Sequence, residues 1–136
     1  MAEATAHELE LALCEAYEQQ RDRYLAAEAT SRKIVAAYRA GEDAADELHR
    51  LQASLDDIAA INDQVGEARR QWDASGNKPG PRLGETMQQL EQLVRQLLEQ
   101  INEAEQLARA ARDRLVPELN QEARTQQMRA AYATDA

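Results

Sequence analysis

Two histidines and one cysteine are the residues best suited to chemistry in this chain. His7 and His49 are its only histidines, and Cys14 is its only cysteine. A di-iron site in a helical bundle needs two Glu-x-x-His motifs with further carboxylates, and only the pair Asp46 and His49 approaches that spacing. His7 and Cys14 lie two helical turns apart, as neighbours and not as a base and its nucleophile. We therefore expect no catalytic residue, no metal site and no cofactor, and we predict that the protein is not an enzyme.

A stretch rich in proline and glycine, residues 73–82, also invites a chemical interpretation. It holds Lys78 and precedes a segment that favours helix, as a phosphate-binding loop does. The Walker spacing is absent, however, and no β-strand precedes the stretch. Because Pro and Gly interrupt helices, we interpret residues 73–82 as an exposed turn between two helices that binds nothing.

The composition predicts an all-α protein. The chain has 136 residues, of which 43% are hydrophobic and only 4% aromatic, and it contains no Phe. Ala, Leu, Glu, Gln and Arg dominate, and these residues favour helices, whereas sheets are built mainly from β-branched and aromatic residues. The length fits one domain that can bury a core if its helices pack lengthwise.

Charge and cysteine content bear on partners and location. The net charge of −9 disfavours nucleic acid and anionic membrane surfaces as partners. A single cysteine cannot form an internal disulfide, which fits a reducing compartment. Acidic residues interrupt residues 1–13, so we expect no signal peptide there, and no segment is apolar enough for membrane insertion. The expected location is the cytoplasm.

Apolar residues recur at alternating spacings of three and four in three segments, as in helices that pack along their length. The first segment covers about residues 3–39 and ends at Gly41, and Asp43 is placed to cap the second. Asn62 interrupts the apolar row of the second segment, where an amide typically fixes register. The third segment follows residues 73–82. The pattern predicts an antiparallel bundle of three long helices with coiled-coil packing. Its predicted core comprises Leu13, Tyr17, Tyr24, Ile34, Leu48, Leu51, Leu55, Ile58, Val65, Leu90, Val94, Leu97 and Ile101.

Pro117 falls where the apolar pattern of the third segment would continue. Proline lacks a backbone N–H and clashes with the preceding turn, so we predict a kinked or separate C-terminal helical segment. The apolar positions before it shrink from Leu and Ile to Ala. The chain is thus predicted to consist of a helical bundle, residues 1–117, and a tail, residues 118–136, that binds a partner or a second copy. The apolar residues in and near this tail are Leu115, Leu119, Ala123, Met128 and Tyr132.

Four stretches resemble the flagellar type III export chaperones of the FlgN and FliT type. They are Leu-Asp-Asp-Ile-Ala-Ala-Ile-Asn at 55–62, residues 90–101, Arg-Asp-Arg-Leu-Val-Pro-Glu-Leu at 112–119 and Arg-Ala-Ala-Tyr at 129–132. The likeness spans most of the chain, but it includes no diagnostic motif. The thin apolar stripe of the tail and the acidic second segment depart from the family pattern.

The resemblance implies a cytoplasmic chaperone that holds helical segments of flagellar hook-associated proteins before secretion. It assigns contact with the secreted protein to Leu115, Leu119, Ala123 and Met128, and contact with the export gate to Tyr132. The alternative is a self-associating structural or regulatory coiled-coil protein, in which the same apolar rows join two copies as a homodimer. Both interpretations involve helix–helix contacts with another protein chain and no nucleic acid.

Overall fold

The computed structural model describes residues 5–134, and for residues 116, 118, 119 and 132–134 it describes the backbone only. Three helices make up this part of the chain: α1 (Ala6–Arg39), α2 (Ala45–Ser75) and α3 (Pro81–Thr134). No strand occurs among these residues. The predicted all-α bundle of three long helices is therefore confirmed.

Local hydrogen bonds set both ends of α1. The Thr5 hydroxyl accepts a hydrogen bond of 3.1 Å from the backbone N–H of Glu8, which caps the first turn. At the other end Gly41 adopts a left-handed conformation with φ of 72°, and the N–H of Glu42 donates to the carbonyl of Ala37 at 2.8 Å. This is a Schellman motif, and it confirms Gly41 as the residue that ends the helix.

The predicted cap of α2 is wrong. Ala44, not Asp43, occupies the N-cap position, and no side chain accepts a hydrogen bond there. Ala44 is fully buried where the chain turns from α1 into α2. The turn is therefore one residue longer than Asp43 would require for capping.

The connection between α2 and α3 is shorter than the predicted 73–82. Helix α2 continues to Ser75 and ends at Gly76, whose φ is 69°. Pro81 is the first residue of α3, a position where its missing N–H leaves no intrahelical hydrogen bond unmade. The backbone N–H of Gly80 donates to Oε1 of Glu10 at 2.6 Å, which ties the connection to α1.

The three helices are arranged with α1 in the middle. Contacts join α1 to α2 and α1 to α3, while the Cα atoms of α2 and α3 nowhere come within 8 Å in the described part of the chain. Residue pairs show the directions: Gln20 meets Asn62 and Arg23 meets Asp57, so α2 is antiparallel to α1. Ion pairs at both ends of the other interface show that α3 runs parallel to α1, in the order Glu18–Arg82 and Arg39–Glu103.

Some apolar rows of the heptad pattern are buried against another helix, whereas others are exposed or only half-buried. In α2 the row of Ile58, Val65 and Trp72 is buried, whereas Leu48 is 45% exposed and Leu55 is half-buried. The predicted core is confirmed at Leu13, Tyr17, Ile34, Ile58, Val65 and Leu97; the half-buried members are Tyr24, Leu51, Leu55, Leu90, Val94 and Ile101. The assignment of Leu48 to the core is wrong, because no helix covers that face of α2. Buried hydrophobic residues that the prediction missed are Leu9, Cys14, Ala27, Val35, Ala44, Trp72, Leu83 and Leu93.

Helix α3 resolves the alternatives at Pro117. It is one helix with Pro117 inside it, and it is bent, so the C-terminal segment is a continuation and not a separate helix. The last residue of α1, Arg39, pairs with Glu103. Every residue from Arg109 to Ala131 whose side chain is described is exposed. We call residues 109–134 the projecting helix, because they extend past the end of α1 and α2.

Candidate protein-binding site

An open groove lies between α2 and α3 near the α1–α2 turn. It encloses about 220 Å³. Its floor is formed by α1 and its walls by the facing sides of α2 and α3. The lining residues are Ser31, Ile34 and Tyr38 of α1, Leu48 and Leu51 of α2, and Ile101, Ala104, Glu105 and Ala108 of α3. The groove is therefore mainly apolar, and its lining residues with polar groups are Ser31, Tyr38 and Glu105.

Helix periodicity extends this groove toward the α2–α3 connection. Residues seven apart share a helix face, so Leu55 continues the row of Leu48, and Val94 and Met87 continue the row of Ile101. Leu55 and Val94 are half-buried and Met87 is 45% exposed. From residue 87 to residue 108 this apolar row of α3 is about 30 Å long at 1.5 Å per residue. A bundle with two apolar rows on each helix commonly has four helices, and here the fourth position is open.

The buried hydroxyl of Ser31 favours an occupant of the groove that can form a hydrogen bond with it. Ser31 is 2% exposed, and its hydroxyl has no hydrogen-bond partner among the described residues. A buried hydroxyl without a partner costs roughly 1–3 kcal/mol. A helix lying in the groove with a polar side chain above Ser31 would supply the missing bond.

Acidic residues cluster at the α1–α2 turn, near one end of the groove. Residues 40–48, which form the α1–α2 turn and the start of α2, contain four ionisable side chains. All four are acidic: Glu42, Asp43, Asp46 and Glu47. Glu105 lines the groove itself. The negative potential expected from this cluster favours a partner segment that carries Arg or Lys.

The predicted site residues do not form one surface. Leu115 is 54% and Met128 58% exposed, and Ala123 is also exposed. Thirteen positions of an α-helix amount to about 220° of rotation, so Leu115 and Met128 lie on nearly opposite sides of α3. Leu115 continues the inner face that carries Ala104, Ala108 and Ala111 farther down. The side chains of Leu119 and Tyr132 lie outside the described residues.

The α1–α3 interface is bordered by ion pairs that hold the two helices parallel. Arg82 donates from Nε and an amino nitrogen to the two carboxylate oxygens of Glu18, at 2.7 and 3.0 Å. This pairing lowers the pKa of Glu18 and raises that of Arg82. Farther along, Gln100 donates to Glu28 at 3.2 Å. The polar border leaves the apolar face of α3 to pack on α1.

Cys14 is buried in the core beside Trp72 and Leu83. Burial raises the pKa of its thiol, which leaves little of the reactive thiolate at neutral pH. In residues 5–134, no three His, Cys, Asp or Glu side chains are grouped as metal ligands would be. No helix in that range is both long and apolar enough to cross a bilayer.

Comparison with protein-family models, curated proteins and solved structures gives no match. The groove and the projecting helix thus have to be interpreted from their own residues. Sequence reasoning singled out the projecting helix but missed the groove. The apolar rows were visible, because the second and third segments each carry more than one, but the sequence does not show which row α1 covers and which it leaves open.

Proposed function

We propose that this chain is a non-enzymatic, cytoplasmic protein-binding module that holds a helical segment of another protein. The observation that carries the proposal is the open groove between α2 and α3. An amphipathic helix placed in such a groove covers apolar rows that the chain itself leaves exposed, and this is a common mode of peptide recognition. The projecting helix adds Leu115 beyond the groove, on the continuation of its α3 wall.

The more specific part of the proposal is that the held segment belongs to a secreted flagellar protein. It rests on the resemblance to the flagellar export chaperones. Segments of that kind are helical and aggregate when free, so their apolar faces need a cover before secretion. The apolar row of α3 that lines the groove and continues beyond it, from residue 87 to residue 108, is about 30 Å long and could accompany roughly 20 residues of a bound α-helix.

The test uses labelled peptides that correspond to the C-terminal helical segments of the hook-associated proteins encoded in the same genome. Fluorescence anisotropy would measure their affinity for the full chain. We expect binding that Leu48→Glu, a change in the lining of the groove, weakens at least tenfold. Leu25→Glu is the matched control, because Leu25 is 47% exposed on a different face, beside Gln89 and Gln92, and its replacement should leave affinity unchanged.

Two results would count against the proposal. The absence of binding by any of these peptides would remove the export-chaperone part. Equal affinities in the Leu48→Glu and Leu25→Glu variants would show that peptides bind away from the groove.

A further inference from the structure

The projecting helix is long enough to cover the groove and the apolar row that continues from it. Residues 109–134 form 26 residues of helix, about 39 Å at 1.5 Å per residue, and the apolar row of α3 from residue 87 to residue 108 is about 30 Å long. The segment is already helical in the structure, so docking it requires no further ordering of its backbone. A helix of this chain is thus long enough to occupy the fourth position of the bundle.

The projecting helix cannot reach the groove of its own chain. Helix α3 continues through Pro117 without interruption, so the projecting helix points away from the groove that α3 itself lines. If such a helix comes from this sequence, it must come from a second copy. In that arrangement it enters from the α1–α2 turn and runs antiparallel to the α3 wall.

Charge favours this occupant over another part of the chain. Residues 5–108 contain eleven Lys and Arg and twenty Asp and Glu, which gives 11 − 20 = −9. Residues 109–134 contain five Arg and three acidic residues, which gives 5 − 3 = +2. The bodies of two copies therefore repel each other, whereas the projecting helix of one is attracted to the acidic groove of the other.

The side chains of the projecting helix also suit the groove floor. The hydroxyl of Ser31 is buried there and lacks a partner among the described residues. Residues 109–134 carry hydroxyl and amide side chains among their apolar positions, including Gln121, Thr125 and Gln126. A side chain of this kind can both donate to and accept from a serine hydroxyl.

We propose that two copies form a reciprocal dimer in which the projecting helix of each lies in the α2–α3 groove of the other. The arrangement has two-fold symmetry, so each contact occurs twice. Two such contacts together bring the buried area toward the roughly 1,200–2,000 Å² of stable interfaces. The dimer is measured on the purified chain alone, so its outcome is independent of the peptide-binding test.

Sedimentation equilibrium of the full chain tests the dimer. We expect a molar mass of twice 15.2 kDa that falls toward 15.2 kDa on dilution, and a dissociation constant that rises with salt. Leu48→Lys places a charge on the groove wall at a site that is 45% exposed, and it should raise the dissociation constant at least tenfold. Leu25→Lys, at 47% exposure outside the groove, should leave it unchanged.

Disulfide trapping locates the interface. Chains with Leu48→Cys are mixed with differently tagged chains that carry Ala123→Cys or Met128→Cys, and the cross-linked peptides are identified by mass spectrometry. Cross-linking from position 48 should exceed that from a Leu25→Cys control severalfold. A monomer at every concentration, a dimer that Leu48→Lys does not weaken, or equal cross-linking from positions 48 and 25 would each overturn the proposal.

Discussion

The two ends of the helical bundle differ although the same three helices form both. At the end near the α2–α3 connection, large side chains such as Tyr17, Trp72 and Leu83 pack into one buried cluster with α1. At the end near the α1–α2 turn, Ala104 and Ala108 face Leu48 across an open groove. Side-chain volume thus decides where a layer of helices closes without a fourth helix and where it stays open.

The largest expected difference between the two ends is in the cost of truncating a leucine. Leu13 is 1% exposed in the closed end, and Leu13→Ala should lower the free energy of unfolding by about 3–5 kcal/mol, from lost apolar burial and the cavity left behind. Leu48→Ala in the open end should lower it by less than about 1 kcal/mol, since little burial is lost. Urea denaturation monitored by circular dichroism measures both. Equal losses would show that the open end is packed in solution.

Between the two ends of the bundle, the buried side-chain amide of Gln20 is hydrogen-bonded to the exposed side-chain amide of Asn62. Gln20 is 4% exposed and donates to Oδ1 of Asn62 at 2.5 Å and to the carbonyl of Ile58 at 3.4 Å. Asn62→Ala should therefore cost about 1–2 kcal/mol, because it leaves Gln20 with only the longer bond. Gln64→Ala, at a nearby exposed position, is the control in the same urea experiment. A cost no larger than the control's would show that Gln20 finds another partner.

Removing the unpartnered hydroxyl should strengthen the open end. Ser31→Ala is expected to raise the free energy of unfolding by roughly 0.5–1 kcal/mol, since it removes an unsatisfied group and favours helix. Leu48→Lys serves as the background, because it keeps the groove empty. The comparison is Thr86→Val, where the lost hydroxyl donates to the carbonyl of Arg82 at 2.9 Å, and stability should fall. A loss of stability from Ser31→Ala would mean that Ser31 is hydrogen-bonded in the monomer.

The smallest expected effect is electrostatic and lies at the closed end. The pairing with Arg82 lowers the pKa of Glu18 in the folded state, so its contribution is present at neutral pH and is lost as the pH falls through that lowered pKa. Glu18→Gln should flatten the acid side of the stability–pH curve slightly, because exposed ion pairs contribute little. Glu15→Gln, an exposed site without an ion pair in the described part, should keep the original slope. Parallel slopes in both variants would argue that the pair contributes nothing.

Local signals allowed most of the fold to be predicted. Gly41 ends α1 because its left-handed conformation is available to glycine at no steric cost, and that information is contained in one residue. The connection between α2 and α3 follows similarly from its prolines and glycines. The all-α class follows from helix-forming residues spread along the whole chain.

The arrangement of the helices could not be predicted in the same way. The sequence shows that Leu90, Val94 and Leu97 lie on one broad face, but not which neighbour each row meets. The structure buries Leu93 and Leu97 against α1 and leaves Val94 half-buried at the groove. That choice depends on the position of α1 between α2 and α3, whose Cα atoms nowhere come within 8 Å of each other in the described residues, and this is a long-range property. The groove was missed for this reason.

The bend in α3 at Pro117 determines where the C-terminal end of the helix lies. Pro117 cannot donate to the carbonyl of Asp113, so one hydrogen bond of the helix is missing at that point. From Pro117 to Thr134 the helix measures about 25 Å, and a change of about 10° in the bend moves its end by about 4 Å. A displacement of that size is close to one turn of helix. A small change in the bend at Pro117 therefore changes the distance from the bundle at which the C-terminal end of α3 can first contact another molecule.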